Sequence, residues 1–202
     1  MTPTVAFTAK DVQELRQRTG AGMMECKKAL EETNGDMAKA IELLRTRGIA
    51  KAEKRVGKST SEGVIASYVH PPGKVAVLVE VNCETDFVAR TDDFKNLARE
   101  LALHIASAAP LAVDKTGVPS DAVEKERRIF EEQARQSGKP ENIIAKMVEG
   151  KVESYYKEVA LLSQPWIREP KKTIADLIKE TSAKVGENIQ VKRFVRYQMG
   201  EA

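Results

Sequence analysis

The sequence predicts an α+β protein: an N-terminal three-helix domain, then a mixed core in which a β-hairpin is followed by packed helices. Three observations carry this. Apolar residues in the first 47 positions recur at helical spacing between Gly and Asn-Gly stops. The period changes to two between Gly63 and Cys83. It returns to the helical value from Thr91 onward. The corresponding division is a three-helix domain over 1–47, a linker over 48–61 and an α+β core over 62–202.

In the first domain, Thr8 is an N-cap residue type, and Val12 and Leu15 share one face of the first helix. Thr19-Gly20-Ala21-Gly22 stops it. Met23, Cys26, Ala29 and Leu30 predict a second helix, closed by Asn34-Gly35. Asp36 caps a third, with Met37, Ala40, Ile41 and Leu44 on its face and Gly48 as its end. The linker holds Lys51, Lys54, Arg55 and Lys58 among small residues that favour partial helix.

Two strands follow, Gly63–Val69 and Lys74–Cys83, joined through Pro71-Pro72-Gly73 as a hairpin. In the second, Val75, Val77, Val79, Val81 and Cys83 alternate with Ala76, Leu78, Glu80 and Asn82, so one face is buried. Phe94, Leu97, Ala98, Leu101, Ile105 and Ala108 then make an apolar helical stripe that closes at Pro110. Ser120–Gln136 predicts a charged helix anchored by Val123, Phe130 and Ala134 and broken at Gly138-Lys139-Pro140. Ile144, Met147, Val148, Tyr155 and Val159 mark another helix, ending near Leu162. Ser163–Lys172 reads as a turn region around Trp166. Thr173 and Asp176 resemble a capping box for a helix that buries Leu177 and Ile178. Asn188–Tyr197 predicts a last strand, with Ile189, Val191 and Val195 on one face.

Composition excludes several function classes. With 33 basic against 30 acidic residues, a net charge of +3 and no long basic block, a strong nonspecific nucleic-acid binder is not indicated. Cys26 and Cys83 are the two cysteines, and neither belongs to a CxxC pair, which argues against a disulfide scaffold or zinc site and fits a reducing cytosol. Met1 to Lys10 lacks a basic stretch followed by an apolar one, and no run approaches the roughly 18 apolar residues of a membrane span; the expected location is cytoplasmic. No phosphate-cradling Walker loop, dinucleotide fingerprint or metal-ligand spacing is present, so no cofactor and no catalytic residue is expected and the chain does not read as an enzyme. His70 and His104 read as surface or edge histidines.

Two stretches ask for more than packing. In Thr19–Leu30, Met23 and Met24 point in different directions, so at least one faces outward, where a flexible thioether beside a glycine loop makes an adaptable contact surface. Both could instead pack on the next domain. In Asn82–Arg90, Phe87 sits in a connection between a buried strand and a helix, with Asp86 beside it as a cap candidate. Either Phe87 tucks into the core while Asp86 caps a turn, or the hairpin presents Asp86 and Phe87 to a partner.

Leu15–Leu30 (LRQRTGAGMMECKKAL) and Glu80–Arg90 (EVNCETDFVAR) resemble, in order, the two signatures of the elongation factor Ts family. Gln136–Pro140, Lys146–Gly150 and Gln164-Pro165 are similar to its later core, so the resemblance covers nearly the whole chain. It implies a nucleotide-exchange factor that releases GDP from elongation factor Tu. The three-helix domain would be of the ubiquitin-associated type and dock on the partner's G domain through Met23, Met24 and Lys27. Thr85, Asp86, Phe87 and Val88 would enter near the partner's magnesium, with Phe87 as wedge and Asp86 holding the displaced segment. Longer members carry two related core halves. This chain, with one hairpin before a single helical core, resembles the short form, in which two copies pair as a homodimer.

The main rival is an RNA- or ribosome-associated binding module, supported by the basic linker and opposed by the balanced charge and the lack of interleaved aromatics. A cysteine-dependent enzyme using Cys83 and His70, and a ubiquitin-type binder, have less to stand on.

Overall fold

The computed structural model describes residues 7–201, and the parts of the N-terminal reading and of the 1–47 and 62–202 divisions that fall on positions 1–6 and 202 lie outside the described residues. Among those described there are eight α-helices and five strands, an α+β architecture.

Helix α1 spans Ala9–Thr19. Thr8 and Asp11 close a reciprocal capping box: Asp11 N–H donates to Thr8 Oγ1 at 3.3 Å, and Thr8 N–H donates to Asp11 Oδ2 at 2.6 Å. The helix ends at Gly20 in the left-handed region, φ 71°. The left-handed conformation favours glycine there, and a Cβ would also crowd the Lys184 side chain, 3.0 Å from its Cγ. Helix α2, Met23–Glu32, buries Cys26, Ala29 and Leu30. Helix α3 spans Met37–Glu53, and Asp36 caps it by accepting from Lys39 N–H at 3.0 Å. Val12, Leu15, Cys26, Ala29, Leu30, Ala40 and Leu44 form the shared core of these helices.

The end expected at Gly48 is corrected, because α3 runs five residues further. Ala50, Lys51, Ala52 and Glu53 are strong helix formers and carry it on. Gly48 itself serves close packing, since a Cβ there would stand 3.1 Å from Ala183 Cβ.

Strands β1, Glu62–His70, and β2, Val75–Cys83, form the expected hairpin. Val77, Val79, Val81 and Cys83 are buried, matching the alternation. A four-residue helix α4, Asp86–Ala89, precedes α5, Asp92–Ala108, whose Phe94, Leu97, Ala98, Leu101 and Ile105 are buried. Helices α6, Ser120–Arg135, and α7, Glu141–Val159, pack on each other around Val123, Ala134, Ile144, Val148 and Val152.

The region expected as turn over 163–172 instead holds two short strands, β3 Pro165–Trp166 and β4 Glu169–Thr173, paired antiparallel with a register shift. Each contains a proline, which removes a ladder donor and hides the strands from a periodicity reading. Helix α8, Ile174–Val185, starts with the expected capping box, Thr173 N–H to Asp176 Oδ2 at 2.9 Å and Asp176 N–H to Thr173 Oγ1 at 3.1 Å. It buries Ile174 and Ile178, with Leu177 only partly covered.

Strand β5, Gln190–Gln198, completes a three-stranded sheet in the order β1-β2-β5. Met199 N–H donates to Lys74 C=O at 2.9 Å, so the end of β5 lies beside the start of β2 and the two run antiparallel. Val195, expected inward with Ile189 and Val191, is exposed; the covered positions shift parity to Phe194 and Arg196. On the outer side of this sheet Ile65, Val69, Leu78, Val195, Tyr197 and Met199 are all exposed.

His104 is also corrected. It is buried on α5. Gln164 Nε2 donates to the carbonyls of Ala108 and Glu158, at 3.2 and 2.6 Å, so Gln164 Oε1 is an acceptor. His104 Nε2, 3.0 Å away, therefore carries the proton, and Nδ1 is left buried without a partner.

The described chain divides into two compact units that are discontinuous in sequence. One comprises residues up to Gly63 with Asn82–Lys95 and Ile178–Gln190; the other comprises Val64–Val81, Asn96–Leu177 and the chain from Val191.

Candidate functional site

The Glu84–Arg90 connection and the N-terminal helices belong to the same compact unit, although 52 positions separate the end of α2 at Glu32 from Glu84. Leaving β2, Thr85 adopts an extended conformation, φ −130° and ψ 154°, and is the N-cap of α4. Its Oγ1 accepts from Val88 N–H at 3.4 Å. Thr85 takes the role the sequence offered to Asp86. Asp86 is the first helical residue and accepts instead from Arg90 Nη2 at 2.7 Å.

A four-residue helix is too short to sustain itself, so its stability comes from its surroundings. Val88 and Ala89 are buried. Phe87 is therefore turned outward and is 78% exposed, which overturns the alternative that it tucks into the core. An exposed Phe on a braced turn forgoes the burial that normally justifies an aromatic.

The bracing is polar. Glu187, just past the end of α8, accepts three hydrogen bonds: from Glu84 N–H at 3.0 Å, Thr85 N–H at 3.0 Å and the Thr85 hydroxyl at 2.6 Å. Glu84 in turn accepts from Arg55 Nε at 2.8 Å, Arg55 Nη2 at 2.6 Å and Asn188 N–H at 2.7 Å. The Arg55 guanidinium, then the Asn188 N–H, hold the Glu84 carboxyl down to about 2. Asn188 Nδ2 donates to Lys58 C=O at 3.0 Å, and Asn82 Nδ2 to Thr60 C=O at 3.4 Å. Residues 55–60, 82–85 and 187–188 are thus stitched into one polar frame.

Sequence reading missed Glu84 and Glu187. One signal was available for Glu187. A carboxylate two residues beyond a helix C-terminus sits at the unfavourable end of the helix dipole, so its place must be justified by donors elsewhere.

On α2, Met23 is 43% and Met24 64% exposed. Both methionines thus lie outside the core, and Ala21 packs against it, with its carbonyl 3.7 Å from Cys26 Sγ. Lys27 is exposed and pairs with Glu31 at 3.8 Å. In the basic linker, Lys51 pairs with Glu25 and Arg55 with Glu84, so two of its four cations serve the fold.

Burial, with the Glu187 charge adding to it, pushes the buried Cys83 thiol up to about 11, and a thiol protonated at neutral pH is a poor nucleophile. His70 Nδ1 lies 3.0 Å from the Tyr68 hydroxyl. No group of three or more His, Cys, Asp or Glu among the described residues is placed to hold a metal ion. No described helix is long and apolar enough to cross a membrane.

The family model for elongation factor TS matches residues 2–201. The chain belongs to the elongation factor Ts family. It is 56% identical over 195 residues to elongation factor Ts of Fervidobacterium nodosum, covering 96% of this chain and 99% of that protein. The elongation factor Ts proteins of Thermosipho melanesiensis and Carboxydothermus hydrogenoformans are each 55% identical over 195 residues, with 96% of this chain and 100% and 90% of theirs covered. The family places the protein in translation elongation, with guanine nucleotide exchange as its activity.

Proposed function

We propose that this protein accelerates GDP release from elongation factor Tu by inserting the Thr85–Val88 element near the partner's nucleotide-bound magnesium. The observation that carries the proposal is the exposed Phe87 on a turn that Val88, Ala89 and Glu187 hold in place. Phe87 is the wedge and Asp86 engages the segment it displaces. Met23, Met24 and Lys27 make the N-terminal contact, from a three-helix domain of the ubiquitin-associated type.

No catalytic group is required. An exchange factor that binds the nucleotide-free partner more tightly than the GDP form must weaken GDP by the same factor. Burying one Phe only in the nucleotide-free complex supplies roughly 1.5–3 kcal/mol, about a tenfold to hundredfold change in affinity. The rest of the interface supplies further coupling.

The core also offers a surface for a second copy, making the homodimer the active unit. Its support is the outer face of the β1-β2-β5 sheet, where Ile65, Leu78, Val195 and Tyr197 are exposed together. The site of action is the cytoplasm, and neither membrane nor direct nucleic-acid binding is part of the proposal.

Release of a fluorescent GDP analogue from elongation factor Tu tests the function. Strong acceleration by the protein is the expected result. No acceleration overturns the proposal, and salt-sensitive RNA binding in its place would favour an RNA- or ribosome-associated module.

A further inference from the structure

We infer that Glu187 is a positioning residue for nucleotide exchange: it sets the orientation in which α4 presents Phe87. The inference rests on the exchange reading above. Glu187 lies outside the Thr85–Val88 element, on the α8–β5 connection, yet three donors of the element's entry converge on its carboxylate.

The consequence passes through one hydroxyl. The Thr85 hydroxyl donates a hydrogen bond to Glu187 Oε1 at 2.6 Å, which leaves the lone pairs of Oγ1 for Val88 N–H at 3.4 Å. The same carboxylate binds the N–H groups of Glu84 and Thr85, at 3.0 Å each, and so fixes the backbone entering the turn. Phe87, largely exposed, has little packing of its own to define where its ring points. Its direction follows from the turn, and the turn follows from the cap that Glu187 orients. The Arg55–Glu84 pair and the Glu84–Asn188 bond tie the three segments of this frame together.

Glu187→Gln keeps the shape of the side chain. Its single amide oxygen cannot serve both sides, so either the two backbone N–H groups or the Thr85 hydroxyl loses its acceptor. A residue that only positions the wedge should act on the rate of release and not on capture of the partner. The experiment measures GDP release from elongation factor Tu over a range of exchange-factor concentrations, for wild type, Glu187→Gln, Phe87→Ala and the double variant. The expected result is a maximal release rate about tenfold or more lower for Glu187→Gln, with the half-saturating concentration within about twofold of wild type. The double variant should be no slower than Phe87→Ala alone, because a misdirected wedge cannot matter once the wedge is gone.

Wild-type release by Glu187→Gln overturns the inference while leaving the wedge reading intact if Phe87→Ala is slow. A loss that multiplies with that of Phe87→Ala, or one confined to the half-saturating concentration, also overturns it. Full-speed release by Phe87→Ala overturns the wedge and, with it, the positioning role. Should Glu187→Gln not fold, Thr85→Val, which keeps the shape and deletes the hydroxyl, carries the same expectations and the same refutations.

Discussion

Arg55 grips Glu84 with two prongs of its guanidinium, Nε to Oε1 at 2.8 Å and Nη2 to Oε2 at 2.6 Å, and so ties the segment after α3 to the chain leaving β2. The pair has a pH signature. The Glu84 carboxyl is held at about 2 in the folded protein against an ordinary 4.5. A depressed carboxylate contributes stability that is fully present above the ordinary value and is lost as pH falls from there toward 2. Thermal melting across this range should show the loss in the wild-type protein. Glu84→Gln should melt lower at neutral pH and depend less on pH in the acid window. An unchanged acid profile in the variant would remove Glu84 from the account.

Phe87 and Met24 should fail differently. Both are exposed, so Phe87→Ala and Met24→Ala should shift unfolding free energy by no more than about 0.5 kcal/mol. Phe87→Ala should slow maximal GDP release about tenfold or more. Met24→Ala should raise the half-saturating concentration with the maximal rate kept, since an N-terminal contact equal in both partner states contributes uniform binding. Steady-state exchange kinetics separate the two, and a rate defect in Met24→Ala would place that contact within the coupling itself.

His104 should make the folded protein acid-sensitive well above the carboxylate range. Burial holds its imidazole below the ordinary 6.5, with the Gln164 bond opposing. The unfolded chain thus takes up a proton that the folded one resists, so stability is full above about 6.5 and falls as pH drops below it. His104→Gln should flatten that part of the melting profile. Equal slopes for variant and wild type between pH 7 and the carboxylate range, about 4.5, would show that the imidazole charges without cost.

A charge on the outer sheet face should split a homodimer. Leu78→Glu places a carboxylate among Ile65, Val195 and Tyr197, while the opposite side of β2, with Val77 and Val79, keeps its core. Sedimentation should report a dimer for wild type and a monomer for the variant at micromolar concentration. A wild-type monomer with full exchange activity would end the dimer proposal.

Much of the fold was legible because local chemistry decides it. The caps at Thr8 and Asp36, the Thr173–Asp176 box and the alternation of β2 all follow from neighbours a few positions apart, which a linear reading sees. Misreadings arose where a distant residue overrode a local rule. Gly48 is not a stop signal: it is glycine because Ala183 takes the space a side chain would occupy, and the helix formers after it carry α3 on to Glu53. His104 is not at the surface, because Gln164, sixty positions later, satisfies one of its nitrogens in the core. β3 and β4 were invisible because two and five residues with prolines carry no readable period.

By itself the sequence determined the α+β class, the family and the stretch in which Phe87 lies, since propensity, periodicity and an unusual run of residues are all properties of short segments. Only the tertiary structure decided that Phe87 faces out, that Thr85 and not Asp86 caps its turn, and that Glu187 holds that cap. Hydrogen bonds between residues about a hundred positions apart leave no trace in local spacing. They exist only once the chain has folded the connection after β2 against the connection after α8.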